Sequence, residues 1–226
     1  SPTVAEYAMF MMLSLCKHGT ALDVLARQGR WSERYAALPT ELLGKTVLIV
    51  GFGRIGTRIA KRCLAMEMTV EVYDPYVSAE AIRSAGCEPV ENLDAALPRA
   101  DFVTIHCPKT PETVGMFDAA RLARMRSSAR LINTARGGLV DEAALYAALA
   151  AGKLAGAGID VFDREPALTD NPLFTLPNVI VSPHMAGNAR ESIDRKALTV
   201  TRNLLSVLDG APNREYVINP EALAAR

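Results

Sequence analysis

The chain has 226 residues, of which half are hydrophobic and 22% charged, and its 25 basic side chains balance 25 acidic ones. That composition supports a sizeable buried core and excludes a disordered chain, and the even charge leaves no electrostatic footprint for nucleic acid. Cys16, Cys63, Cys87 and Cys107 stand singly, with no C-x-x-C pair. This spacing argues against a zinc site or a disulfide framework and for reduced thiols in a cytoplasmic protein.

From the start of the chain, Thr3-Val4-Ala5-Glu6 has capping-box spacing, which predicts a helix from Thr3 to about Lys17. The segment is apolar nearly all round, but it is too short to cross a bilayer and contains Glu6, so it predicts a helix covered on several sides. A short helix over 21–28 follows. Trp31, the chain's one tryptophan, falls in the exposed connection after it, where an aromatic anchor for a partner subunit is expected.

The stretch KTVLIVGFGRIG, residues 45–56, joins a buried strand over 47–50 to glycines in G-x-G-x-x-G spacing and a helix over 54–66. Gly51 permits a tight turn, Gly53 lets a pyrophosphate approach backbone with no Cβ in the way, and Gly56 lets the helix lie close to the strand. The helix start then offers unpaired N–H groups to phosphate. A second strand over 68–73 ends at Asp74, where an acid accepts the ribose hydroxyls and repels a 2′-phosphate. NAD is therefore expected rather than NADP.

Further on, helical segments are predicted over 78–85, 92–97, 118–124 and 141–151, and strands over 87–90, 101–106, 129–134, 155–162 and 179–182. A long last helix spans about 189–208 and stops at Gly210 and Pro212. This alternation predicts an α/β fold: a doubly wound parallel sheet of Rossmann type with a hinge helix at each end. In such sheets ligands bind at the carboxyl ends of the strands, and Asp74, His106, Arg136, Asp160 and His184 all fall there.

Five ordered stretches carry a resemblance: GFGRIG (51–56), HCPKTPETVGMF (106–117), INTARGGLVDEAAL (132–145), GIDVFDREP (158–166) and SPHMAG (182–187). Together they resemble the D-isomer-specific 2-hydroxyacid dehydrogenases, in particular the phosphoglycerate dehydrogenase-like members. The resemblance implies NAD as cofactor and a small 2-hydroxy or 2-oxo acid as substrate. It makes Arg136 the substrate-carboxylate arginine, His184 the proton donor and acceptor, and Glu165 the carboxylate that orients the imidazole. A planar guanidinium suits that carboxylate, and an imidazole titrating near neutrality suits the proton transfer. The alternatives are a surface turn arginine and a core histidine.

On the cofactor, the resemblance sets Gly51, Gly53, Arg54, Ile55 and Gly56 at the pyrophosphate and Asp74 at the ribose. Cys107, Pro108, Thr113, Thr134 and Ala135 line the site, and Asp160, His184 and Gly187 stand at the nicotinamide end, with Asp160 accepting from the carboxamide. No residue is assigned to a metal. His106 is expected at the rim, without a chemical role.

The resemblance also implies a two-domain protein. Residues 1–20 are then the hinge helix of a substrate-binding domain that is largely absent, 21–188 the NAD-binding domain, and 189–226 the return helix and tail. A chain of this extent is expected to bind NAD, to turn over poorly and to self-associate as a homodimer. Two other readings stay open, a corepressor-like interaction module that binds NAD and a non-catalytic dehydrogenase remnant.

Overall fold

The computed structural model describes residues 2–36, 38–219 and 221, so Ser1 and the last residues of the expected tail lie outside it. The chain divides between Gly187 and Asn188 into two compact units.

The first unit is built on a seven-stranded sheet. Its strands are β1 (Thr46–Val50), β2 (Thr69–Tyr73), β3 (Glu88–Pro89), β4 (Phe102–Ile105), β5 (Arg130–Asn133), β6 (Gly156–Ile159) and β7 (Val179–Val181). They run in the order β3-β2-β1-β4-β5-β6-β7, and every pairing is parallel. The order reverses between β1 and β4, which opens a crevice at their carboxyl ends.

Helices connect the strands as the alternation predicts: α3 (Gly56–Ala65), α4 (Ala79–Ser84), α5 (Leu93–Ala96), α6 (Ala119–Leu122) and α7 (Glu142–Ala150). Four of them begin where a short polar side chain takes up an orphan amide. Ser78, Asn92, Asp118 and Asp141 accept from the N–H groups of Ala81, Ala95, Arg121 and Ala144.

Because side chains alternate along a strand, β1 feeds two cores. Leu48 and Val50 join Val103, Ile105 and Leu131 under α5, α6 and α7, whereas Val47 and Ile49 join Val70, Val72 and Ile132 under α3 and α4. Strands buried on both faces explain why they are continuous apolar runs.

α1 (Pro2–Lys17) departs from the sequence expectation at its start: Thr3 lies inside the helix and is buried, so it is not the cap. As its apolar faces require, the helix is covered, with Met11, Met12 and Cys16 buried in the second core. Glycines on β6 make the room. A Cβ on Gly158 would lie 2.9 Å from the Met11 side chain, and one on Gly156 3.2 Å from Leu15. After α1 come α2 (Gly19–Arg27) and a 3-10 turn, Trp31–Glu33. This arm has no buried residue and leaves Trp31 65% exposed.

The second unit holds α8 (Arg190–Leu208) and a 3-10 turn, Arg214–Tyr216, where the Asn213 side chain accepts the Glu215 N–H. Among the described residues no helix is long and apolar enough to cross a membrane, and no group of three His, Cys, Asp or Glu side chains is placed to hold a metal ion.

Candidate functional site

The glycine turn after β1 is shaped by close contacts. Gly51 has φ of 97°, and a Cβ there would lie 2.6 Å from the Cys107 nitrogen. A Cβ on Gly56 would lie 2.0 Å from the Gly51 carbonyl oxygen, so α3 can start only where that residue has no side chain. At Gly53 a Cβ would meet nothing within 4 Å. Space held open beside the first amides of a helix is what a pyrophosphate requires.

Asp74, at the end of β2, is tied to this turn. Its Oδ2 accepts the Phe52 N–H at 2.7 Å and its Oδ1 the Tyr76 N–H at 2.9 Å. The carboxylate therefore faces the turn in a fixed orientation, beside the ends of β1 and β4. A cleft of about 270 Å³ is lined here by Gly51, Gly53, Asp74, Cys107, Pro108 and Thr113, with Tyr76 and Glu112 also on its walls. Thr113 Oγ1 shapes the loop after β4, accepting from the Thr110 N–H and donating to the Pro108 carbonyl. Burial pushes the Cys107 thiol up to about 11, so it presents a neutral wall at physiological pH. Burial likewise pushes His106 down to about 3, which keeps it neutral. Its Nε2 lies 2.9 Å from Thr104 Oγ1.

Two buried polar atoms among the described residues, His106 Nδ1 and Thr134 Oγ1, have no hydrogen-bond partner in the protein. Such atoms are costly unless a ligand or water completes them. His106 lines the cleft after β4, whereas Thr134 follows β5. The open space at Gly53, the fixed acid at Asp74 and the orphan nitrogen of His106 together fit a dinucleotide.

At the other end of the sheet, the backbone carries His184 into φ of 54°, a left-handed conformation uncommon for a residue with a Cβ. Asp160, at the end of β6, holds it there. The Asp160 carbonyl accepts the His184 N–H at 2.8 Å, and its carboxylate accepts the Ser182 hydroxyl, the Met185 N–H at 2.8 Å and the Ala186 N–H at 2.9 Å. Asp160 is 0% exposed, so its carboxylate is engaged in bracing the His184 loop.

His184 Nδ1 lies 2.7 Å from Glu165 Oε2, and the other Glu165 oxygen accepts the Phe162 N–H at 3.0 Å. Burial raises the Glu165 carboxyl, but the hydrogen bonds from His184 and Phe162 and the charges of His184 and Arg136 outweigh it and hold the group below the usual value. Arg136 is exposed on the loop after β5, with Nη1 donating to the Ala135 carbonyl. Its charge reaches Glu165, which places the guanidinium in the electrostatic neighbourhood of the acid–imidazole pair. A hollow of about 620 Å³ borders the pair, lined by Glu165, His184 and the apolar Phe162, Ala167, Phe174 and Val181.

The remaining expected residues are more dispersed. Ile55 precedes the first residue of α3, while Arg54 lines a basic hollow along that helix with Arg58 and Lys61. Thr134 and Ala135 are buried behind the strand end, and Gly187 closes the first unit. The sequence reading gave no role to Tyr76, two residues after Asp74, or to Glu112, inside the HCPKTPETVGMF stretch, and it missed the bracing task of Asp160.

The glycine turn at the reversal of strand order, with an acid fixed at the end of the second strand, defines a dinucleotide-binding domain of Rossmann type. The family model described as D-isomer specific 2-hydroxyacid dehydrogenase, NAD binding domain, matches residues 9–186. The chain belongs to this family, and its cofactor is NAD.

Among curated relatives, D-3-phosphoglycerate dehydrogenase of Archaeoglobus fulgidus is 39% identical over 96% of this chain. The enzyme of that name from Mycobacterium tuberculosis is 42% identical over 92%. The chain spans 41% and 39% of their respective lengths. Among solved structures, D-lactate dehydrogenase from Aquifex aeolicus, complexed with NAD and lactic acid, matches with a TM-score of 0.85 and 33% identity over 93% of this chain and 66% of that one. A Granulicella formate dehydrogenase matches with a TM-score of 0.91 and 28% identity, over 96% of this chain and 58% of that one.

Proposed function

We propose that the protein to which this chain belongs is an NAD-dependent dehydrogenase that interconverts a small D-2-hydroxy acid and its 2-oxo acid. The carrying observation is the 2.7 Å contact of His184 with Glu165 on a sheet whose glycine turn fits a dinucleotide. NAD, when bound, supplies the hydride acceptor and donor.

The chain's own residues do the rest. Gly51, Gly53, Ile55 and Gly56 hold the pyrophosphate on backbone, with Arg54 adding charge beside it. Asp74 takes the ribose hydroxyls and disfavours a 2′-phosphate. Cys107, Pro108, Thr113, Thr134 and Ala135 form the wall. Asp160 sets the His184 loop at the nicotinamide end, which Gly187 completes. Arg136 grips the substrate carboxylate in a fork and polarises the neighbouring carbonyl.

With Nδ1 committed to Glu165, the proton exchanged with substrate is carried on Nε2 of His184. In the oxidation direction that nitrogen takes the hydroxyl proton as hydride leaves carbon, and Glu165 stabilises the imidazolium that results. In reduction the same nitrogen returns the proton to oxygen. Phosphoglycerate is the first acid to test, because several curated relatives are phosphoglycerate dehydrogenases, with glyoxylate, hydroxypyruvate and lactate-like acids next.

The protein is further proposed to be cytoplasmic, in keeping with its four free thiols, and to form a homodimer through the arm that exposes Trp31 and Tyr35. Sedimentation of the chain at micromolar concentration tests the dimer, and a purely monomeric profile sinks it.

The function is tested by calorimetric titration with NAD⁺ and by NADH oxidation against a panel of 2-oxo acids, using the polypeptide that carries this chain. Saturable turnover that His184→Gln removes supports the reading. Tight NAD binding with no turnover on any acid, together with capture of peptide partners, would favour the interaction module instead.

A further inference from the structure

One contact in the cofactor cleft has no place in the chemistry above. Tyr76 Oη donates to Glu112 Oε2 at 2.7 Å. Tyr76 stands on the loop after β2 and Glu112 on the loop after β4, and both line the cleft that contains Gly53 and Asp74. β2 and β4 are not neighbours, because β1 lies between them. The hydrogen bond therefore joins the two walls of the cleft across the end of the strand that delivers the glycine turn.

Each partner is presented from a loop fixed at its base. The Tyr76 N–H is bonded to Asp74, and the Glu112 loop is closed by the hydrogen bonds of Thr113 to Thr110 and Pro108. The phenol itself is 81% exposed, so the core gives the ring no support, and an exposed pair of this kind contributes little to folding. A phenol is protonated at neutral pH and donates, and hydrogen bonding and charge from Glu112 raise it further above its usual value.

We infer that Tyr76 and Glu112 form a clasp over the adenosine half of the NAD site, opening to admit the dinucleotide and closing to retain it. The inference rests on the NAD reading of this cleft. Asp74, inside the same cleft, fixes which half is covered, since it is the ribose acceptor. Pro75, Pro108, Met116 and the phenol ring supply the apolar surfaces that a flat adenine needs on its faces. Tyr76 and Glu112 act here as positioning residues, remote from hydride and proton transfer.

The test uses Tyr76→Phe, Glu112→Gln and the double variant, with NAD⁺ and ADP-ribose as probes in calorimetry and stopped-flow. Each single change is expected to weaken both probes about tenfold, through faster dissociation. The double variant is expected to match either single one within about twofold, because one hydrogen bond is lost in all three. Unfolding temperature without ligand is expected to stay at the wild-type value. ADP-ribose affinity unchanged in the single variants, or losses that multiply in the double, would overturn the clasp while leaving the cofactor reading intact. A wild-type chain that binds neither probe overturns both.

Discussion

The two regions proposed to hold the ends of the cofactor are made of different material. The region assigned to adenosine consists of backbone: a glycine turn, the first amides of α3, and a single acid whose two oxygens hold the N–H groups of Phe52 and Tyr76. The end at His184 consists of side chains, an exposed imidazole and carboxylate supported by the buried Asp160. The first end is defined by where atoms are missing and the second by where atoms are present. Added atoms should therefore damage the one, and removed or altered atoms the other.

The sharpest break is expected at Gly56. Alanine there puts a Cβ 2.0 Å from the Gly51 carbonyl, a backbone atom with nowhere to move. Urea unfolding of Gly56→Ala should show a loss of about 3 kcal/mol, with NAD binding lost too. At the opposite end, His184→Gln should leave stability within about 0.5 kcal/mol and cost kcat at least about a hundredfold in the polypeptide that turns over. A large stability loss without a kinetic one would put His184 in the structural class and erase the contrast.

Between these lies Asp160→Asn. The amide turns an NH₂ group toward buried donors that now share a carboxylate, so denaturant unfolding should register about 2 kcal/mol. The smallest effect concerns Glu165. Its carboxyl sits below the ordinary 4.5, so its contribution to stability is present above that pH and disappears as pH falls through the depressed value. The difference in unfolding temperature between wild type and Glu165→Gln should be about 2 °C near neutrality, given how exposed the pair is, and should close in acid. A gap that widens on acidification would reverse the assigned sign.

Much of the first unit was legible because its signals are local. A strand buried on both faces is an apolar run, and Ser78, Asn92, Asp118 and Asp141 announce their helices within three residues. The glycine turn and the HCPKT, NTARG and SPHMAG stretches could be set at strand ends by counting alternations. What escaped depends on distance in sequence. A helix apolar on all sides looks the same whether its own sheet or another domain covers it. Only Gly156 and Gly158, far along the chain, decide that α1 lies on this sheet. The burial of Asp160 follows from the fold of residues 182–186 around it. The Tyr76–Glu112 bond joins residues of two motifs that were read separately.

The hydrogen bond from Phe52 to Asp74 carries a consequence for anyone redesigning coenzyme preference. Exchanging Asp74 for a small or cationic residue to welcome a 2′-phosphate would also strip the acceptor from the amide next to Gly51. The phosphate turn would loosen along with the gain in selectivity. A workable NADP variant must therefore supply a replacement acceptor for that amide, and designs that change Asp74 alone should trade affinity for tolerance.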